Sequence, residues 1–452
     1  MDYGALALIP PLVVIILAIL LRTSFEPLLI GCIVGFLILE RGNFFTGFVD
    51  ALYRVMQDES TVWVILVCGL YGSLIGLMVR SGGALKFGDD MLKRIKTRKA
   101  ALFGTWGLGL FIFLDDYLSA LTVGITMKKI TDHFRIPREL LAYIVNTTAA
   151  PLSVIVPIST WTLFIGSILI KSDFGGEETA NHAYWQVIPY VAYSWVSIFM
   201  IPLVIVGVVP LFGKMKKANA RAINFGQIIP PGKKIAAVKL ELFENEKHPK
   251  SVYFILPLIV LLAATVLLDY DALKGVMIAV AFTFVYYMIM KLASFQQLSE
   301  TLFAGFNSML YALALVVMSY VLKDAGDQLG LTQYVIDSVK PLVNKELLPV
   351  LVFVAISFIS FTTGSSWGVY AVAIPIIIPL AISLGSNPLI NVGAVVSAGV
   401  FGANACLYSD ATILTSQSTD TNNLDHALSQ LPYALLAFGI TVLVYLGFGY
   451  FS

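Results

Sequence analysis

Three stretches of this chain, residues 5–21, 61–79 and 252–268, contain no charged residue at all. A bilayer core about 30 Å thick is crossed by about 20 apolar residues in a helix, and uncharged runs of this length meet that need. The competing reading is a large soluble protein with a rich core. Composition excludes it, because 58% of the 452 residues are hydrophobic and only 13% are charged. A soluble domain carries about 25% charged residues. The chain is therefore expected to be a polytopic integral membrane protein, surrounded by lipid and without a nucleic-acid partner. Cys32, Cys68 and Cys406 sit in apolar stretches with no metal or redox spacing. Residues 1–21 lack a basic leader and a small-residue cleavage site, so they read as a first span.

Charge placement sets the expected topology. Residues 81–99 and 128–138 are rich in Lys and Arg, whereas 172–184 have neither and carry Asp173, Glu177 and Glu178. Cytoplasmic loops collect Lys and Arg, so 172–184 face outside. Residues 213–251, with nine Lys or Arg against three Glu, form a cytoplasmic linker. That division gives a first repeat at 1–212 and a second at 252–452. Each half is expected to hold a re-entrant hairpin, near 100–127 and at 347–385. Each also has a broken transmembrane helix, at 139–170 and 389–416. Phe111–Asp116 aligns with Phe358–Thr363, and the order of spans and amphipathic stretches is shared between the halves. The fold class is thus all-α, with two inverted-topology repeats. Opposed broken elements of this kind are typical of secondary transporters.

Polar residues inside apolar runs are costly and mark function. Asp115 and Asp116 fall in the first hairpin, and both can face one cavity only if the backbone is locally unwound there. Asn146, Thr147 and Thr148 precede Pro151, which cannot donate to the carbonyl four residues back, so unwinding is expected around them. Thr362, Thr363, Gly364, Ser365, Ser366 and Trp367 supply hydroxyls and flexible backbone at the second hairpin tip. Asn404, Ser409, Asp410 and Thr412 interrupt another run, and Asp410 is the second carboxylate candidate. Asp425 and His426 read as a polar loop that begins the last helix at the cytoplasmic surface. His133, His182, His248 and His426 read as loop residues on no shared face, and there is no phosphate-binding glycine loop with Lys. No nucleophile–base pair is visible. An enzyme is not expected, and neither is a bound cofactor beyond a coupling ion, Na+ or H+.

These motifs resemble the NhaC-type sodium/proton antiporter family, within the ion-transporter superfamily of elevator carriers. The likeness runs over most of the chain. It is carried by Asp115-Asp116-Tyr117 through Gly124, Pro137–Tyr143, Thr148–Pro151, Pro157–Trp161, Ser365–Gly368, Ser409–Thr412 and Asp425-His426 through Ala434. It implies a fixed scaffold domain that commonly forms a homodimer, a moving transport domain, and a bacterial-type inner-membrane location. Two positions depart from the family pattern: Asn146 stands where an acid is common, and Gly402–Leu407 replaces a Gly-Asp-His-Cys-Ser-Pro string.

Two functions stay open. In a Na+/H+ antiporter, Asp115, Asp116 and Asp410 would hold Na+ or a proton, helped by Thr363, Ser409 and Thr412. In a Na+- or H+-coupled carrier of a small amino acid or carboxylate, Asn146, Thr147, Thr148, Asn404 and the Thr362–Trp367 string would hold the solute. The second function calls for a cavity of several non-hydrogen atoms between the hairpin tips.

Overall fold

A computed structural model describes residues 3–21, 25–83, 86–87, 90, 95–113, 116–157, 159–171, 180–230, 243, 250–269, 271–331, 334, 343–364 and 366–451. Among them every regular element is helical. The first half contains α1 (Ile9–Leu21), α2 (Phe25–Glu40), α3 (Phe44–Gln57), α4 (Glu59–Arg80), α5 (Arg98–Phe111), α6 (Asp116–His133), α7 (Arg138–Ser153), α8 (Thr160–Lys171), α9 (Ala180–Trp185) and α10 (Ala192–Val206). Then come α11 (Gly213–Phe225), α12 (Val252–Leu267), α13 (Ala272–Ile289), α14 (Phe295–Ser308) and α15 (Leu310–Gln328). The chain closes with α16 (Leu348–Thr363), α17 (Ser366–Leu384), α18 (Pro388–Ala405), α19 (Asp410–Ser418) and α20 (Asn423–Phe451).

Four helices among the described residues are long and apolar enough to cross a membrane: Phe25–Gln57, Thr61–Arg80, Pro388–Ala405 and Asn423–Phe451. Many of the others are too short to span alone. Pieces of this kind keep their backbone polar groups satisfied only when buried in protein or lining a cavity.

Two internal correspondences stand out. Helices α5, α6, α7 and α8 begin at 98, 116, 138 and 160, and α16, α17, α18 and α19 begin at 348, 366, 388 and 410. All four starts are displaced by 250 residues. The second correspondence is a capping motif. Ser159 Oγ donates to the Ser153 carbonyl (2.5 Å) and accepts from Thr162 N (3.1 Å), and Thr162 Oγ1 donates to the Val156 carbonyl (2.7 Å). At the same displacement, Ser409 Oγ donates to the Ala403 carbonyl (2.6 Å) and accepts from Thr412 N (3.2 Å), and Thr412 Oγ1 donates to the Cys406 carbonyl (3.2 Å). These hydroxyls satisfy the free N–H groups of a new helix and the free carbonyls of the one just ended.

The structure corrects several expectations. The register is 250 residues, so Asp116 matches Ser366 and not Thr363. Helix α7 stays helical through Asn146, Thr147, Thr148 and Pro151, and the break comes later, before Thr160. Pro151 falls in the last turn of α7, where it disturbs least of the helix. Thr362 and Thr363 close α16, their hydroxyls donating to carbonyls of the preceding turn. Gly364 then takes the left-handed conformation (φ 68°) that ends the helix. The linker begins as a structured element, because Arg221 of α11 pairs with buried Glu139 of α7 at 2.9 Å. His426 lies in the first turn of α20 and is fully buried, and His133 ends α6.

Candidate functional site

Asp116 and Asp410 are the first residues of α6 and α19, and both are buried, 4% and 7% exposed. They line one cavity together with Trp161, Ser366 and Tyr370, closed by Ala150, Val154, Val400 and Ala403. Its volume is about 10 Å³, room for a single water-sized particle. Trp161 Nε1 donates to Asp116 Oδ1 (3.1 Å). The Tyr117 hydroxyl donates to Asp410 Oδ2, and Ala411 N donates to Asp410 Oδ1 (2.8 Å). Ser366 Oγ donates to the Gly399 carbonyl (2.9 Å), which fixes its oxygen at the cavity edge.

The electrostatics of this cavity follow from where its lining residues sit in their helices. Asp116, Trp161, Ser366 and Asp410 each belong to the first turn of a different helix, α6, α8, α17 and α19. Each helix N-terminus carries about +0.5 of a charge. Ala150 and Ala403, in the last turns of α7 and α18, also line the cavity, and each helix C-terminus carries about −0.5. The helix ends therefore sum to about +1, which offsets only part of the charge of two ionised carboxylates and leaves about one negative charge.

A second polar cluster lies elsewhere. Asn146 of α7 is wholly buried, and its Nδ2 is 3.3 Å from His426 Nε2 and 3.3 Å from Gln430 Oε1, both on α20. Gln430 Nε2 donates to the Asn404 carbonyl (2.8 Å). Next to this network is another cavity of about 10 Å³, lined by Thr147, Asn404, Gln430, Tyr193, Ser197 and three apolar-bodied neighbours of α10 and α20, with Tyr143 closing it. The residues grouped in the sequence as a solute site therefore divide. Ser366 joins the two acids, Thr147 and Asn404 line the second cavity, and Asn146 borders it. Thr148 donates to the Ile144 carbonyl and packs on Gly109, Ser409 and Thr412 act as caps, and Thr362, Thr363 and Gly364 form the end of α16. Asp115 and Ser365 lie outside the described residues, and Trp367 is placed in α17 by its backbone only. No three His, Cys, Asp or Glu side chains converge as a metal site among the described residues.

Tyr117, His426 and Gln430, which fall in the motifs that carry the family resemblance, were given no place in either candidate site by the sequence. The spacing of His426 and Gln430, four apart on one helix face, was an available signal. Tyr117 offered only its adjacency to the acids.

The model of the Na+/H+ antiporter family matches residues 165–450, more than half of the chain. The chain belongs to the Na+/H+ antiporter family. The match takes in Ser366, Asn404, Asp410, His426 and Gln430, while Asp116 and Asn146 precede it. The family places this chain among transporters and not enzymes. An uncharacterized protein of Haemophilus influenzae is 26% identical over 485 aligned residues, 98% of this chain and 91% of the relative. Among solved structures, the Alcanivorax borkumensis YdaH transporter aligns over 90% of this chain and 88% of its own, with 14% identity and a TM-score of 0.39. MtrF of Neisseria gonorrhoeae, from a class of antimetabolite efflux pumps, aligns over 91% of this chain and 85% of its own, with 12% identity and a TM-score of 0.40.

Proposed function

We propose that this antiporter-family chain exchanges Na+ for protons, with Asp116 and Asp410 as the carboxylates that hold one or the other. The observation that carries this reading is the small cavity of about 10 Å³ between two buried acids from opposite halves of the chain. A bare monovalent cation or a proton fits that space, and a solute of several heavy atoms does not. On this reading Asp115 extends the same cation site, and the matched helix starts are two inverted repeats. Their paired elements, α5–α6 and α16–α17, enter the membrane from opposite sides as re-entrant hairpins. The elevator motion, the homodimer and the inner-membrane location follow from the family likeness.

Proteoliposomes loaded with a pH dye test the proposal. The wild-type protein is expected to drive proton efflux when Na+ is added outside, with no response to choline. Asp410→Asn should lower that flux at least about 100-fold, as loss of a group that must itself carry the ion. Unchanged flux in both Asp116→Asn and Asp410→Asn would sink the assignment.

A further inference from the structure

We infer that Tyr320 and Tyr117 form a two-hydroxyl relay that delivers a proton to Asp410 from the end of the molecule bearing Asp58 and Asp324. Resting on the exchange function proposed above, the relay supplies the path by which its proton arrives. The geometry starts at the acid. The Tyr117 hydroxyl donates to Asp410 Oδ2, and the Tyr320 hydroxyl is hydrogen-bonded to Tyr117. A phenol carries one proton and accepts on its remaining lone pairs. With the Tyr117 proton committed to Asp410, the proton between the two tyrosines belongs to Tyr320. Both O–H bonds therefore point towards the carboxylate, the arrangement in which a proton is handed along. Asp116 is served differently, because Trp161 Nε1, which donates to its Oδ1, can only donate and relays nothing.

In the transfer, Tyr117 gives its proton to Asp410 Oδ2 and takes the proton of Tyr320, and Tyr320 takes one from hydronium, leaving water. Each phenol ends neutral with one proton, and only the carboxylate has changed, from anion to acid. The position of Tyr320 suits entry. It is buried, at 8% exposed, but one turn further along α15 Asp324 pairs with exposed Arg54 of α3 (2.8 Å). Asp58, the exposed N-cap of α4, is near enough to act electrostatically on Tyr320. An exposed carboxylate raises the local concentration of cations, hydronium included. This end of α4 lies away from the basic segment 81–99 that follows the helix. Helix α15 packs on α2 and α3 and meets α19, whose first residue is Asp410. The relay thus crosses from the α2–α3–α15 group to the acid-bearing helices, and sliding between them breaks it.

Two assays on the full-length protein in proteoliposomes separate a relay from a bond that only holds Tyr117 in place. Na+-driven proton flux requires protonation of the acid. Exchange of radioactive Na+ for Na+, at equal pH on both sides, moves the same loaded carrier without it. Tyr320→Phe keeps the ring and removes the hydroxyl. Proton flux is expected to fall about tenfold or more, as for a lost proton-transfer group, with Na+/Na+ exchange retained. Tyr320→Met takes its place, with the same expected result, if the Phe variant does not fold. The inference is overturned if both fluxes fall together, which marks a purely structural bond, or if both stay at wild-type rates. A wild-type protein with neither flux would remove the exchange function itself, and the relay with it. A wild-type protein with both keeps that function whatever the Tyr320 variants show.

Discussion

At the scale of single residues, the two acids and the buried amide differ in what their loss would do. Asp116 and Asp410 face a cavity, so neutral replacements remove charge without breaking a packed network. Tyr117→Phe removes the donor to Asp410 Oδ2, and hydrogen bonds to charged groups contribute about 1.5–3 kcal/mol. Flux in proteoliposomes should fall about tenfold or more, and the melting midpoint should fall with it. Asn146→Leu acts elsewhere. It strands Gln430 Oε1 and His426 Nε2 in a buried place, at about 1–3 kcal/mol for each orphaned group. A lower midpoint in thermal unfolding is the expected outcome, and an unchanged midpoint would refute the network. Asn146 stood out in the sequence because a polar residue in an apolar run needs a partner. Its partners were not legible, since they lie about 280 residues away along the chain and no local pattern points to them.

Elements are set by caps and by close approach. Helix α4 meets α14 where Gly72 faces the Gly305 carbonyl, and a Cβ on Gly72 would lie 2.6 Å from that oxygen. Small residues of this kind let membrane helices come close. Gly72→Leu is expected to prevent α4 and α14 from closing, seen as aggregation in size-exclusion chromatography. Outside the membrane, Asp271 caps α13 by accepting from Leu273 N and Lys274 N. Partial burial acts to raise its carboxyl, but the bonds from the Lys274 side chain and from both backbone N–H groups outweigh that and hold it below the usual carboxylate value. A depressed acid stabilises the fold above the carboxylate range, and the contribution disappears as pH falls through its folded value. Asp271→Ala should therefore lower stability by about 1 kcal/mol at neutral pH, and the gap to wild type should narrow as the pH falls through the acid range, in urea titrations at neutral and acidic pH. Where each helix breaks was harder to read. Pro151 suggested a break at Asn146–Pro151, yet tertiary packing keeps α7 helical and moves the break to the Ser159–Thr162 cap.

For the molecule as a whole, the repeated register is what unites the site. Four helices in each half start 250 residues apart, and the first turns of α6, α8, α17 and α19 reach one cavity. The acids occupy non-equivalent positions in that register: Asp116 matches Ser366, and Asp410 matches Thr160. On the side of the basic loops, Arg138 pairs with Asp132 (2.7 Å) and donates to the Thr419 carbonyl (2.9 Å), while Lys128 pairs with Asp420 (2.6 Å). These contacts tie α6 and α7 to the end of α19. Arg138→Gln leaves Asp132 without its ion pair, and protease accessibility of this face should rise in the variant.

The sequence by itself determined the class of this protein. Uncharged runs long enough for a bilayer, sparse charge gathered in basic loops, and interrupted helices with polar residues at the breaks all follow from local chemistry. They were enough to indicate an all-helical membrane transporter and to put Asp115, Asp116 and Asp410 among its candidate residues. Only the tertiary structure decided which polar residues share a space. It joined Asp116 to Asp410, gave Thr147 and Asn404 a different cavity, buried His426 against Asn146, and turned Ser409 and Thr412 into caps. The physical reason is that a break exposes backbone groups which any nearby partner can satisfy. The partner is chosen by packing between helices far apart in the chain.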